Sequence, residues 1–234
     1  QQGIETIAKS LGNAGFSVDL ISRGSSGRRI VKVGLTGEAK PYPLPVQSFS
    51  YSPLDGISIQ FETISSLFSA TQIDQESNLL IHYCLDTLSK AAPYTILDIG
   101  SGYGAIGLSL AVCLPNAQVL MADIDKRALD MANINITKAG VGHSAQAILA
   151  DGVSSDGHRF DIVVPNPPLH VGSSQLREIV RSSGALLQPQ GRMLLFVENS
   201  RAENLNMMAH KLSMPLSKIV NTCGYTILEH IANL

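Results

Sequence analysis

The sequence predicts an α/β fold: a doubly wound, mostly parallel sheet of seven strands with a terminal antiparallel strand and helices on both faces. Three observations predict it. From residue 95 onward, short apolar strands alternate with amphipathic helical stretches; a glycine-rich loop joins the first of these strands to its helix; and the chain closes with a helix and two strands around a glycine turn. Repeated βα units need crossovers that return the chain to the same edge, and such crossovers build a parallel sheet covered on both faces.

Taken in order, the apolar spacing of Ile4, Ile7, Ala8 and Leu11 suits a short helix, and residues 16–21 and 29–33 alternate like two strands around a Gly/Ser turn. One helix and two strands make no core. Residues 40–45 read Lys-Pro-Tyr-Pro-Leu-Pro, and three prolines at alternate positions enforce an extended backbone that reads as a linker. The boundary is placed there, with residues 1–45 as an N-terminal segment and proline linker and residues 46–234 as the main domain. Residues 57–63 follow as a strand. Residues 75–89 form a helix with Leu79, Leu80, Tyr83 and Leu88 on its buried side. The regular alternation then places strands at 95–99, 118–122, 145–149, 161–164 and 193–197, and helices near 104–113, 126–138 and 173–187. A helix at 202–212 precedes strands at 217–222 and 225–232, joined at Cys223-Gly224, so one strand runs antiparallel.

The composition, 44% apolar and 15% charged over 234 residues, is that of a globular protein with a sizeable core. No apolar run approaches the roughly 20 residues of a membrane helix, and the N-terminus lacks the layout of a signal peptide, so the expected location is cytoplasmic with no membrane partner. Cys84, Cys113 and Cys223 are far apart with neither disulfide nor zinc spacing, and no metal site is expected. The net charge of -2 argues against a grip on nucleic acid by bulk electrostatics. The charge is uneven, however: residues 1–40 hold six Lys/Arg against three Asp/Glu, leaving eleven against sixteen elsewhere, so any RNA-facing surface is expected near the N-terminus.

Residues 97–108 place Gly100, Gly102 and Gly104 between a strand and a helix, where glycine lets the backbone turn tightly and approach a ligand. Taken alone, Gly102-x-Gly104-x-x-Gly107 suits a nicotinamide dinucleotide as well as S-adenosylmethionine. Asp98 decides between them: a carboxylate two positions before the first glycine can face a cationic amino group but would repel a pyrophosphate. Asp123 ends the second strand at about the 20-residue separation that ribose recognition uses in such folds. Asp151 ends the third and is placed to meet an adenine amine.

The strand over residues 161–164 runs into Asn166-Pro167-Pro168. In an open parallel sheet this motif emerges beside the cofactor crevice. An exocyclic amine is a poor nucleophile because its lone pair is delocalised into the ring, and hydrogen bonds from its N–H groups help localise that pair. Asn166 can offer its side-chain carbonyl and Pro167 its backbone carbonyl, while the fixed φ of Pro167 and Pro168 holds the acceptors stiffly. His170 is a candidate base or phosphate contact.

These residues resemble the small-domain class of Rossmann-like S-adenosylmethionine-dependent methyltransferases, which includes the bacterial ribosomal RNA guanine-N2 enzymes. The resemblance covers residues 55–234 through Ser66-Leu-Phe-Ser69, Ile73-Asp74, the loop from Asp98 to Gly104, Asp123, Asn166-Pro-Pro-Leu-His170 with Gly172, and the closing helix and strands. It implies S-adenosyl-L-methionine as cofactor, with Asp74, Ser101, Ile124, Gly152 and Asn166 joining Asp98, Gly100, Gly102, Gly104, Asp123 and Asp151 around it. It also implies catalysis by Asn166, Pro167, Pro168, Leu169 and His170, and RNA as the partner. His170 looks more like the RNA branch than the protein-glutamine branch. Leu169 departs from the pattern, because the family usually has an aromatic there to stack on the base, an interaction of roughly 1–3 kcal/mol. The resemblance further implies that residues 1–33, whose helix-strand-turn-strand layout recurs at 202–232, are the end of an upstream degenerate copy of the domain. Gln1 in place of Met fits a piece of a longer chain.

The expected function is therefore methyl transfer to an exocyclic amine, guanine N2 of ribosomal RNA foremost. A glutamine amide or small-molecule acceptor, or a cofactor-binding module without catalysis, stand as alternatives. A nicotinamide oxidoreductase is disfavoured by Asp98 and by the lack of an evident hydride-transfer partner.

Overall fold

A computed structural model describes residues 8–9, 11–13, 15–23, 29–35, 45–151, 157–166, 172–222 and 224–233. The chain divides into two compact units, Gln1–Leu44 and Pro45–Leu234. In the first, residues 8–9 and 11–13 are helical, and strands β1 (Phe16–Arg23) and β2 (Arg29–Leu35) pair antiparallel with an irregularity between Leu20 and Ser22.

The second unit opens with a hairpin, β3 (Val46–Leu54) and β4 (Ile57–Ile64), turned at Gly56. The sequence reading placed only β4. β3 escaped it because Ser48, Ser50, Ser52 and Pro53 look like loop composition, yet Phe49 and Tyr51 share one face and pack on the core. Phe49 stacks on its cross-strand partner Phe61 with ring centroids 5.5 Å apart.

The remaining strands form one sheet of seven. They are β5 (Thr95–Ile99), β6 (Gln118–Asp123), β7 (Ala145–Leu149), β8 (Phe160–Pro165), β9 (Leu187–Glu198), β10 (Ser217–Thr222) and β11 (Tyr225–Ile231), in spatial order β7-β6-β5-β8-β9-β11-β10. Pairing is parallel from β7 through β9. β11 is antiparallel to both its neighbours, so the antiparallel strand is terminal in the chain but lies one place in from the sheet edge. The order reverses between β5 and β8, which opens a crevice at the carboxyl ends of those strands.

Side chains along each strand alternate between two cores. Ile96, Ile162, Val164, Leu194 and Ile227 join helices α1 (Gln75–Thr87), α2 (Ala105–Cys113) and α3 (Lys126–Ala139). Their neighbours Leu97, Val163, Met193, Leu195 and Leu228 join α4 (Ser173–Gly184) and α5 (Asn199–Lys211). This period of two, buried on both sides, is why the strands read as continuous apolar runs. α4 ends at Gly184, three residues before the expected limit, and β9 starts at Leu187 rather than Met193. Its first half carries Gln188, Pro189 and Gln190 through a register shift against β8, and that polar content hid the strand. Cys84 and Cys113 are buried free thiols, and burial pushes the Cys84 thiol up to about 12; Cys223 lies outside the described residues. Among the described residues no helix is long and apolar enough to cross a membrane.

Candidate active site

Two loops meet at the reversal point. Ile99 of β5 pairs with Pro165 of β8, and the Asn166 N–H donates to the Ile99 carbonyl at 2.8 Å. Gly100 follows at φ +75°, and a Cβ built on it would stand 2.8 Å from the Asn166 backbone oxygen. The glycine is therefore required twice, for its left-handed conformation and for the approach of the second loop. Among the described residues the Asn166 side-chain amide has no hydrogen-bond partner, and it is half-buried beside the glycine loop. Pro167, Pro168, Leu169 and His170 lie outside the described residues.

The glycine loop is held by the carboxylates that the sequence singles out. Asp98 is fully buried; its Oδ2 accepts from the Gly107 N–H at 2.8 Å, and its Oδ1 has no partner. Burial pushes its carboxyl up to about 7, against the Gly107 hydrogen bond and with a smaller push from the Asp123 charge. A buried carboxylate oxygen without a partner is rare and is the feature a cationic ligand group would satisfy. Asp123 accepts from the Gly102 N–H through Oδ2 and from the Asp125 N–H through Oδ1, both at 2.8 Å. Each of its oxygens keeps a second lone pair for a ligand hydroxyl. Around Gly102, at φ +58°, nothing lies within 4 Å of where a Cβ would be, so the loop presents open backbone there. Ser101 is buried, its N–H on the Ala122 carbonyl and its own carbonyl receiving the Gly104 N–H.

Asp74 plays a structural part the sequence did not disclose. It caps α1, with Oδ1 accepting from the Ser77 N–H and Oδ2 from the Ser77 hydroxyl, both at 2.8 Å. Burial holds the Tyr103 phenol well above its usual value, and the Asp74 charge adds to the effect. Tyr103 was missed by sequence reading, since a tyrosine between two glycines looks like a loop filler. Its ring packs edge-on against Phe49 and Phe61, and its hydroxyl donates to the Ser69 carbonyl at 3.2 Å.

Ile124, which follows Asp123, is 67% exposed, as is Phe68, which precedes the Ser69 whose carbonyl accepts from Tyr103. The Ala150 N–H donates to the Asp123 carbonyl, which brings the exposed Asp151 beside the end of β6; Gly152 lies outside the described residues. On the other side of the crevice, Glu198 ends β9 near Glu76. Burial raises the Glu76 carboxyl, a Tyr225 hydrogen bond opposes this, and the Asp74 and Glu198 charges add to the rise. This acidic flank was also missed, although Glu198 closes its strand as Asp123 closes β6. A cavity of about 650 Å³, lined by Leu120, His143, Gln146, Ile148 and Phe160 among others, shares no residue with either loop. Among the described residues no group of three or more His, Cys, Asp or Glu is placed to hold a metal ion.

The family model described as methyltransferase small domain matches residues 58–229. A ribosomal RNA small subunit methyltransferase C of Pseudomonas entomophila is 31% identical over 202 residues, covering 85% of this chain and 58% of that protein. A release factor glutamine methyltransferase of Chlorobaculum tepidum is 35% identical over 103 residues, 40% of this chain and 35% of that protein. Among solved structures, the T. thermophilus 16S rRNA N2 G1207 methyltransferase in complex with AdoMet and guanosine aligns over 99% of this chain and 62% of that one, at 25% identity and a TM-score of 0.81. The chain thus spans little more than half the length of the first of these relatives.

Proposed function

Because the chain belongs to the methyltransferase small domain family, we propose that it is an S-adenosylmethionine-dependent methyltransferase acting on an exocyclic amine, with guanine N2 of ribosomal RNA as the acceptor. The observation that carries this reading is the meeting of the Gly100 and Asn166 loops beside the unpartnered Asp98 Oδ1. A dinucleotide would bring its pyrophosphate toward that carboxylate, whereas an amino acid moiety would bring an ammonium. Asp98 and the open backbone at Gly102 would hold the methionine end, Asp123 the ribose, and Ile124 with Asp151 the adenine. When bound, the cofactor supplies an electrophilic methyl on a sulfonium.

The chain's own residues then have two tasks. The glycine loop, whose backbone is open at Gly102, would hold the donor. Asn166, stiffened from behind by its N–H bond to Ile99, accepts an N–H of the acceptor amine and turns the nitrogen lone pair toward the donor. No strong base is needed, because the amine loses its proton after transfer. The two relatives named for ribosomal RNA support RNA as the acceptor class. The shorter match to a release factor glutamine methyltransferase favours a second reading, a glutamine amide, which offers the same N–H geometry to Asn166.

Labelled S-adenosylmethionine incubated with undermodified small ribosomal subunits, naked 16S RNA and release factor separates the two. Label recovered in N2-methylguanine is the expected result. Label in protein alone would move the assignment to the amide, and no transfer to any acceptor would refute the catalytic reading.

A further inference from the structure

We infer that Asn135 is a positioning residue for the cofactor loop, clamping it to β4 of the hairpin from its place on α3; the inference rests on the reading that this loop holds S-adenosylmethionine. Asn135 is fully buried in the helix interior, where an asparagine disfavours helix and must satisfy its amide. Its Oδ1 accepts from the Glu62 N–H at 2.7 Å, and its Nδ2 donates to the Glu62 carbonyl and to the Tyr103 carbonyl, both at 2.9 Å. All three partners are backbone atoms, and none belongs to α3. The side chain thus acts as a peptide unit on the open edge of β4, with its spare donor passed to the glycine loop.

Tyr103 is where such a clamp has most effect. It lies between Gly102 and Gly104, both with positive φ, and a glycine-rich loop has much conformational freedom to lose. The loop is pinned at its first turn by Asp123 on the Gly102 N–H and at the helix by Asp98 on the Gly107 N–H. Between them, the Tyr103 carbonyl is held by Asn135 and its ring by the aromatic pair of the hairpin. Removing the Asn135 bond leaves that carbonyl buried without a partner and lets the Gly102 backbone turn away from the cofactor.

Calorimetric titration of the full chain with S-adenosylmethionine tests the inference, because it reports affinity and the fraction of competent sites separately. A merely structural role lowers the competent fraction and leaves Kd alone. Asn135→Ala is expected to raise Kd about five- to tenfold, the equivalent of one buried neutral hydrogen bond. Asn135→Ser, which keeps a single donor in a smaller side chain, is the second variant should alanine prevent folding, with a smaller rise expected. Lys138→Ala, which removes the ion pair on the outer side of Glu62, is expected to leave Kd unchanged. Wild-type Kd with fewer competent sites in the Asn135 variants would overturn the inference. A wild-type chain that binds no S-adenosylmethionine would overturn instead the cofactor reading beneath it.

Discussion

Replacing Asp98 by asparagine should make the protein more stable and a worse binder at once. The buried carboxyl has its pKa raised from 3.8 to about 7. Its folded-state contribution is therefore fully present below the unfolded pKa and is lost as pH rises toward the folded one, after which the penalty is constant. At 1.36 kcal/mol per unit, the difference amounts to about 4 kcal/mol of destabilisation above pH 7. Asparagine keeps an acceptor for the Gly107 N–H but leaves one buried polar group unpaired, at a cost of about 1–3 kcal/mol, so the net gain is about 1–3 kcal/mol. For a chain of this size that raises Tm by roughly 2–10 °C near pH 8. Near pH 5 the carboxyl is mostly protonated in the folded state and the penalty is smaller by about 3 kcal/mol, so the gain should vanish or turn into a small loss. Thermal unfolding followed by circular dichroism at the two pH values measures this. Calorimetry in parallel should show S-adenosylmethionine affinity falling by about 100-fold or more, the loss of a charged hydrogen bond in a dry site. In the wild type, affinity should rise with pH through about 7 as Asp98 ionises. An asparagine variant that is less stable at both pH values, or that binds the cofactor like the wild type, would refute the assignment of Asp98 Oδ1 to a cation.

Other expectations follow from the same geometry. Asn166→Ala should slow single-turnover methyl transfer by about 100-fold or more while leaving calorimetric cofactor affinity within about twofold; full activity would remove Asn166 from the mechanism. Gly100→Ala places a methyl group 2.8 Å from the Asn166 oxygen at a positive φ. Denaturant titration should register a loss of about 2–4 kcal/mol, together with weakened cofactor binding. Phe61→Ala empties a fully buried site beneath Tyr103. It should cost about 3–5 kcal/mol, seen as a Tm lower by roughly 10 °C, and a shift near zero would mean that the hairpin contributes no core.

The parts of this molecule legible in its sequence are those in which local chemistry has one structural solution. Strands buried on both faces must be continuous apolar runs, and a strand-to-helix turn at positive φ must be glycine, so β5 to β8 and the loop from Gly100 to Gly104 stood out. Asn166 was legible because the strand before it ends without a break. β3 was not, since a strand with one exposed face carries serines there that mimic a loop, and its pairing with β4 is decided by Phe49 meeting Phe61 across the hairpin. Nor was the division of labour among the acids: Asp98, Asp123 and Asp74 look alike at strand and helix ends. Only the fold gives Asp74 to a helix cap, both oxygens of Asp123 to backbone amides, and leaves one oxygen of Asp98 buried and free.

The sequence alone determined the alternation of elements from β5 onward, the doubly wound sheet and the two loops that carry the chemistry, because hydrophobic period and glycine placement act over a few residues. The tertiary structure decided the rest: that Gly100 and Asn166 touch, that Asn135 reaches from α3 to Glu62 and Tyr103, and that β11 slips between β9 and β10. Those are contacts between residues far apart in the chain. Their partners are backbone atoms and buried volumes that no local pattern encodes, and they exist only once packing has brought the segments together.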